Sequence, residues 1–368
     1  NFTAVVLDVE LTSDSASLNG NVTVGSLDTT GVGTTTLLDA VAISAGTGGV
    51  DLGEVDGPHA LTITAEGAVD LDGVDVQELT VDDAVDVTLD GIVHLPGDLS
   101  INGSIDGIVD INADVAADGD VTIGDAATDL VDIDANIHGG GDIIINATDD
   151  DGDINISELV SSDNGRVDIN AADEIIFELG SNVIGSDVPA GTPGVTVDSV
   201  DITVDADLHN DEGSLDLHAT GTLDINQSIE TGPEGNLDLD GDTALTLATG
   251  ADLTAGGDIT VNDDLLLDNP AGDSTVTSED GDITLQNVAA AEVRNLTVTA
   301  AEGTVTIGSL GSDDANDTND ANNLTITAAD VPGASASTDS RKGCSVSILN
   351  RICGASRSSS KPVGITLP

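Results

Sequence analysis

Residues 119–145 read GDVTIGDAATDLVDIDANIHGGGDIII, and the stretch opens and closes on the same phrase. A turn residue is followed by x-[VIL]-x-[VIL], so apolar and polar residues alternate with the period of a β-strand. The phrase stands as GDLSI at Gly97, GDVTI at Gly119, GDIII at Gly141, GRVDI at Gly165, GSLDL at Gly213, GNLDL at Gly235, GDITV at Gly257, GDITL at Gly281 and GTVTI at Gly303. Its steps are 22, 22, 24, 48, 22, 22, 24 and 22 residues, which leaves one copy missing near position 189. Looser copies at Gly20, Asp39, His59, Gln77 and Asn322 bring the series to about fifteen units.

Each unit carries a second alternating phrase about ten residues after the first, as at Ile108, Leu130, Gly152 and Thr222. A third, shorter apolar site follows at Val93, Val115, Ile137, Leu159, Ile229 and Leu253. Three short strands in about 20 residues leave no room for a crossover helix, so successive units stack, each strand pairing with its equivalent about 4.8 Å along an axis. The expected fold is all-β, a right-handed parallel β-helix (β-solenoid) of about 15 coils of 18–24 residues, on the order of 70 Å long. Val, Ile and Leu face inward, Asp, Thr, Asn and Ser outward, and corner glycines supply positive φ. The rod spans 1–331; near Pro332 the pattern breaks and a tail, 332–368, begins.

Of 368 residues, 69 are acidic and seven basic, and only Phe2 and Phe177 are aromatic. Apolar residues are plentiful and regularly spaced, so the net charge of -62 describes a surface and not a disordered chain. Such a surface repels nucleic acid and anionic membranes and attracts cations. No stretch reaches the roughly 18 apolar residues of a membrane-spanning helix.

Runs such as GSLDLHATGTLDINQSIETGPEGNLDLDGDTALTLATGADLTAGGDITV, from Gly213, resemble the repeats of the filamentous haemagglutinin family, exoproteins of two-partner secretion. The resemblance covers roughly residues 15 to 330. It implies a right-handed parallel β-helix serving as adhesin, toxin-delivery stalk or surface fibre. Some members end in a cysteine pair whose disulfide loop stays at the outer-membrane partner, and Cys344 and Cys353 are similar in spacing and terminal position. The family's N-terminal Asn-Pro secretion motifs are not in this stretch; the lone NPAG at Asn269 reads as a turn.

Catalytic constellations are scarce. A lyase on this scaffold needs a base and cations beside its carboxylates, and the rod offers only Arg166 and Arg294. His59, His94, His138, His209 and His218 fall in separate coils without metal-ligand spacing. Calcium is the inorganic candidate, at Asp149, Asp150, Asp151 and Asp153 in TDDDGDIN, where hard oxygen ligands crowd a corner. Thr-x-Thr pairs at Thr62, Thr297, Thr304 and Thr325 raise an ice-binding face, which requires pairs stacked coil upon coil. Their unequal spacing assigns them instead to ordinary outward positions. Asn-x-Ser/Thr sequons at Asn1, Asn21, Asn102, Asn146, Asn155, Asn226, Asn295, Asn316 and Asn323 mark glycosylation candidates, although a repeat rich in Asn, Ser and Thr generates them unaided.

The tail is chemically opposite to the rod. It holds both cysteines and five of the seven basic residues, Arg341, Lys342, Arg351, Arg357 and Lys361. In an oxidising compartment Cys344 and Cys353 would close a ten-residue loop. Three roles fit: a cap over the last coil, an anchor in a secretion pore, or a connector lying on the acidic rod of the next copy. The chain therefore reads as a non-enzymatic, extracellular or cell-surface fibre or adhesin stalk, with a second copy, an outer-membrane secretion partner or a surface receptor as partner. The alternatives are a polysaccharide-active enzyme and a calcium-dependent matrix or surface-layer component.

Overall fold

The structure, a computed structural model, describes residues 15–186, 193–210, 213–267, 273–289 and 295–308 in full. It describes backbone alone at 290, at 309–311 and in the strands Phe2–Thr3, Asp8–Glu10, Asn323–Asp330, Ser337–Thr338 and Ser345–Asn350. Among the described residues there is no helix, and every strand pairing is parallel. Three ladders of parallel pairs build a solenoid of about 12 turns. The expected all-β parallel β-solenoid is the fold observed, with about 12 turns where the sequence count gave about 15.

Face 1 holds the glycine-led phrase, with Leu99, Val121, Ile143 and Val167 in register. The second phrase forms face 2, where Val87, Val109, Val131 and Ile154 align. Face 3 aligns Val93, Val115, Ile137 and Val160. All of these inward side chains are 1% exposed or less, because each branched aliphatic lies between its own copies one coil away.

The copy missing near 189 is displaced, not lost. Val195–Ser199 fills the rung, pairing with Val167–Ala171 before it and Leu215–Ala219 after it. The 48-residue step is thus one coil of 28 and one of 20 residues. In the long coil the face 3 ladder is interrupted, and Asn182 and Asn210 bridge the gap. Asn182 Oδ1 accepts from His209 N at 2.7 Å, and Asn210 Oδ1 accepts from Gly185 N at 3.1 Å. Asn210 is fully buried, so its amide replaces ladder bonds that water cannot supply.

The phrase glycines serve a different purpose from the one expected. Gly119, Gly141, Gly257 and Gly281 are not in the positive-φ region. A Cβ on Gly119 would lie 1.9 Å from Asp98 Oδ1, and one on Gly141 2.0 Å from Asp120 Oδ1. Gly119, Gly141 and Gly281 clear space for the corner aspartate of the preceding coil, and Gly257 does the same for Asn236. Each aspartate carboxylate then accepts the next coil's backbone N–H: Asp98 from Asp120 N, Asp120 from Asp142 N, Asp142 from Arg166 N, all at 2.9 Å. The same staple recurs from Asp258 to Asp282 N and from Asp282 to Thr304 N, both at 2.7 Å. Gly-Asp is therefore an inter-coil clip. Asp120→Ala should lower stability by about 1 kcal/mol, read as the denaturant midpoint, whereas Asp120→Asn, which keeps an acceptor, should lose less; equal losses would rule the clip out.

Candidate functional site

In-register stacking turns outward residues into columns, and columns are the sites this fold can build. On face 2 one column runs Asp28, Asp51, Asp70, Thr88, Asp110 and Asp132. Successive rungs there are about 4.8 Å apart, and Thr88 separates Asp70 from Asp110. Burial, followed by repulsion from Asp70, Asp28 and Asp72, raises Asp51; burial, with Asp90 and Asp72, raises Asp70; burial, with Asp134 and Asp110, raises Asp132. Carboxylate oxygens of Asp70, Asp72 and Asp90 lie within 4.8 Å of one another, and Asp70 Oδ1 is buried without a hydrogen-bond partner.

On face 1 two adjacent columns meet. One runs Asp168, Thr196, Asp216 and Asp238; the other Asn170, Asp198, His218 and Asp240. His218 Nδ1 lies 2.9 Å from Asp198 Oδ1, and a ring nitrogen of His218 comes within 4.8 Å of oxygens of Asp240 and Asp242. The bond to Asp198 raises His218. Burial, with repulsion from Asp238 and Asp198, pushes Asp216 up to about 6. Burial also raises Asp238, against a 2.7 Å hydrogen bond from Asn262 Nδ2.

Asp149, Asp150 and Asp151 sit exposed in a turn closed by Gly152 N donating to Asp149 O at 3.0 Å. Asp153 begins the next strand, its Oδ1 accepting from Glu174 N at 3.1 Å. Among the described residues, the groups that bring three ligand atoms within 4.8 Å are the two above, and this corner is not one of them.

Three of the five histidines, separate in sequence, share face 3. His94 and His138 occupy one column of face 3 with Ala116 between them, and His209 stands in register with Glu230 farther along the same face. Each faces an acid: His94 Asp75 at 3.1 Å, His138 Asp163 at 3.5 Å, His209 Glu230 at 3.2 Å. The threonine pairs are a second departure. Thr275 and Thr277 align with Thr297 and Thr299, which align with Thr325 and Thr327. Steps of 22 and 28 residues hide this register from the sequence. Thr62 and Thr64 have no such stack, facing Thr80 and Asp83.

Of the sequons, Asn21, Asn226 and Asn295 are exposed, while Asn102, Asn146 and Asn155 are partly buried. Asn146 Oδ1 accepts from Asn170 Nδ2 at 3.1 Å, and Asn226 Nδ2 donates to Asp205 at 2.8 Å. Asn323 is described by its backbone alone; Asn1 and Asn316 lie outside the described residues, as do Arg294, Cys344, Cys353, Arg341, Lys342, Arg351, Arg357 and Lys361. Between the cysteines, Ser345–Asn350 pairs in parallel with Asn323–Asp330, so part of the tail segment adds a rung to face 3.

No family model, curated protein or solved structure matches this chain. Among the described residues no helix is long and apolar enough to cross a membrane.

Proposed function

We propose that the chain is a structural, non-catalytic rod of an extracellular or cell-surface fibre, an adhesin stalk in the manner of the filamentous haemagglutinin family. The observation that carries this reading is the unbroken in-register core. From Val24 to Ala300 buried aliphatics form one continuous cluster along the axis. Such a stack is stiff in one dimension and gains length by adding coils, which is what a stalk requires.

The rod's charge forbids close lateral approach of copies at low salt, whereas the basic residues beyond 340 are attracted to it. Contact of that segment with the next copy is head-to-tail and does not close, so it makes a filament. Contact with an outer-membrane partner would anchor single rods instead. Negative-stain imaging separates these outcomes. The full chain should give end-joined rods that disperse when residues 332–368 are removed; single rods in every condition would discard the filament, and compact particles would discard the stalk.

A further inference from the structure

The chain holds three Asn-Gly pairs, Asn19-Gly20, Asn102-Gly103 and Asn164-Gly165, all between strands. In such a pair the glycine backbone nitrogen can attack the asparagine side-chain carbon Cγ, since glycine has no Cβ to bar the approach. The new N–Cγ bond closes a cyclic imide as the Cγ–Nδ2 bond breaks, and Nδ2 leaves as ammonia with the proton of the glycine N–H. Water then opens the imide at one carbonyl or the other, leaving aspartate or isoaspartate. The reaction needs no catalyst. It does need a free glycine N–H and a carboxamide free to turn.

By exposure alone Asn164 would react before Asn102, because Asn164 is exposed and Asn102 partly buried. The hydrogen bonds reverse that order. Gly165 N donates to Ser162 Oγ at 2.8 Å and Asn164 Nδ2 donates to Gly140 O at 3.3 Å, so both reacting groups are held. Ser162 is fixed in turn, buried and donating to Gly141 O at 2.6 Å. Gly165 is buried as well, and a Cβ there would lie 2.4 Å from the Gly141 backbone, so this corner has little room to shift.

At the other pair, neither the Gly103 N–H nor the Asn102 carboxamide has a protein hydrogen bond among the described residues. Gly103 is exposed, with φ at 110°, so water reaches the pair. The main chain on either side is pinned, by Asn102 N donating to Val81 O at 3.0 Å and by the bridge from Ile105 to Ala84. Closing the imide at Asn102 therefore removes an N–H that pairs with nothing, whereas at Asn164 it breaks the bond to Ser162. Asn19-Gly20 belongs with the open pair, with no hydrogen bond at either reacting group.

We infer that Asn102 is a site of spontaneous deamidation in the folded rod, and that the bonds to Ser162 and Gly140 protect Asn164. The product adds a carboxylate beside Asp82. Its isoaspartate form also inserts a backbone carbon into a corner where even a Cβ on Gly103 would lie 2.0 Å from Asp82 O, so the change disturbs the stack there. Asn102 heads the sequon Asn102-Gly103-Ser104, so a glycan on this carboxamide and loss of the carboxamide exclude each other. The inference holds whether or not the chain forms a fibre.

The test holds the full folded chain at mildly alkaline pH and physiological temperature and follows each Asn-Gly peptide by mass spectrometry, with isoaspartate assigned by fragmentation. Two hydrogen bonds of ordinary net strength should make Asn102 react faster than Asn164 by roughly tenfold or more. In concentrated urea the two should react at similar rates, because the fold then holds neither. Ser162→Ala, checked for retained β structure by circular dichroism, should speed Asn164 severalfold and leave Asn102 unchanged. Should that variant not fold, the ratio of the wild-type rates with and without urea decides alone. The inference is overturned if Asn102 in the folded chain reacts no faster than Asn164. It is equally overturned if their ratio survives in urea, since flanking sequence would then set it, or if a folded Ser162→Ala leaves Asn164 as slow as before.

Discussion

Phe177→Ala is expected to remove about 3–5 kcal/mol of stability. Phe177 is fully buried and pairs in register with Ile156 below and Val204 above. In a core of Val, Ile, Leu and Ala it fills the width of its coil alone, and its aliphatic neighbours are each clamped by their own rungs. They cannot swing in to close the cavity. Phe177 lies in the long coil itself, where the face 3 ladder is interrupted, so the lost packing falls beside that gap. A solenoid's coils contact only their neighbours, so the damage should stay local. Hydrogen exchange should therefore accelerate from Asp153–Ile156 to Asp201–Val204 and remain slow near Leu61 and Leu239. Phe177→Leu, which keeps most of the volume, should cost under about 1.5 kcal/mol. A uniform loss along the rod, or equal losses for the two variants, would contradict this account.

The fold was legible because the solenoid repeats its instructions. Period-two alternation at a near-constant step leaves one way to bury every Val, Ile and Leu, and the three ladders follow from it. What the phrase could not show was why its first two residues are Gly-Asp. Glycine suggested positive φ, a local property of one residue. The actual cause is an Asp carboxylate arriving from the coil before, 22 positions away, and nothing within a single unit reveals that approach. The displaced rung at Val195 escaped for a similar reason. Its phrase, PGVTV from Pro193, is intact but out of step, so a search at fixed spacing passes over it.

The candidate sites were less legible, because columns are defined by register and not by spacing. Asp149–Asp153 stood out as consecutive acids, yet the residues that converge, His218 with Asp240 and Asp242, come from different coils. Thr277 and Thr299 share a column for the same reason that His94 and His138 do, and variable corner lengths conceal both. A reading that first aligned the coils and then compared outward positions would have found all three.

Acidification from about pH 7.5 to about pH 5 is expected to stabilise the chain, against the usual behaviour of proteins rich in carboxylates. The reason lies in the columns: burial raises Asp51, Asp70, Asp132, Asp216 and Asp238, and repulsion from stacked like charges adds to it at all of them but Asp238. For Asp216 the folded value is about 6 against an ordinary 3.8. Between these values the folded chain holds a proton that the unfolded chain has released, so stability falls as pH rises through that window. The penalty is complete above about 6. The groups around Asp216 are Asp238, Asp198, His218 and Asp240, and of these only His218 opposes the rise. His218 adds to the trend. Its raised value means that the imidazolium beside Asp198 stabilises the fold below the ordinary histidine range, and this contribution is lost as pH climbs through the folded value. Because Asp216 is only partly shielded from water, its share is about 1 kcal/mol after allowance for solvent screening. Thermal melts at fixed ionic strength should show a midpoint higher by a few degrees at the lower pH. Asp216→Asn should raise the midpoint at about pH 7.5 and flatten the difference, while leaving the smaller histidine-linked part in place. Superimposable pH profiles for wild type and Asp216→Asn would show that the stacked aspartates do not govern the acid response.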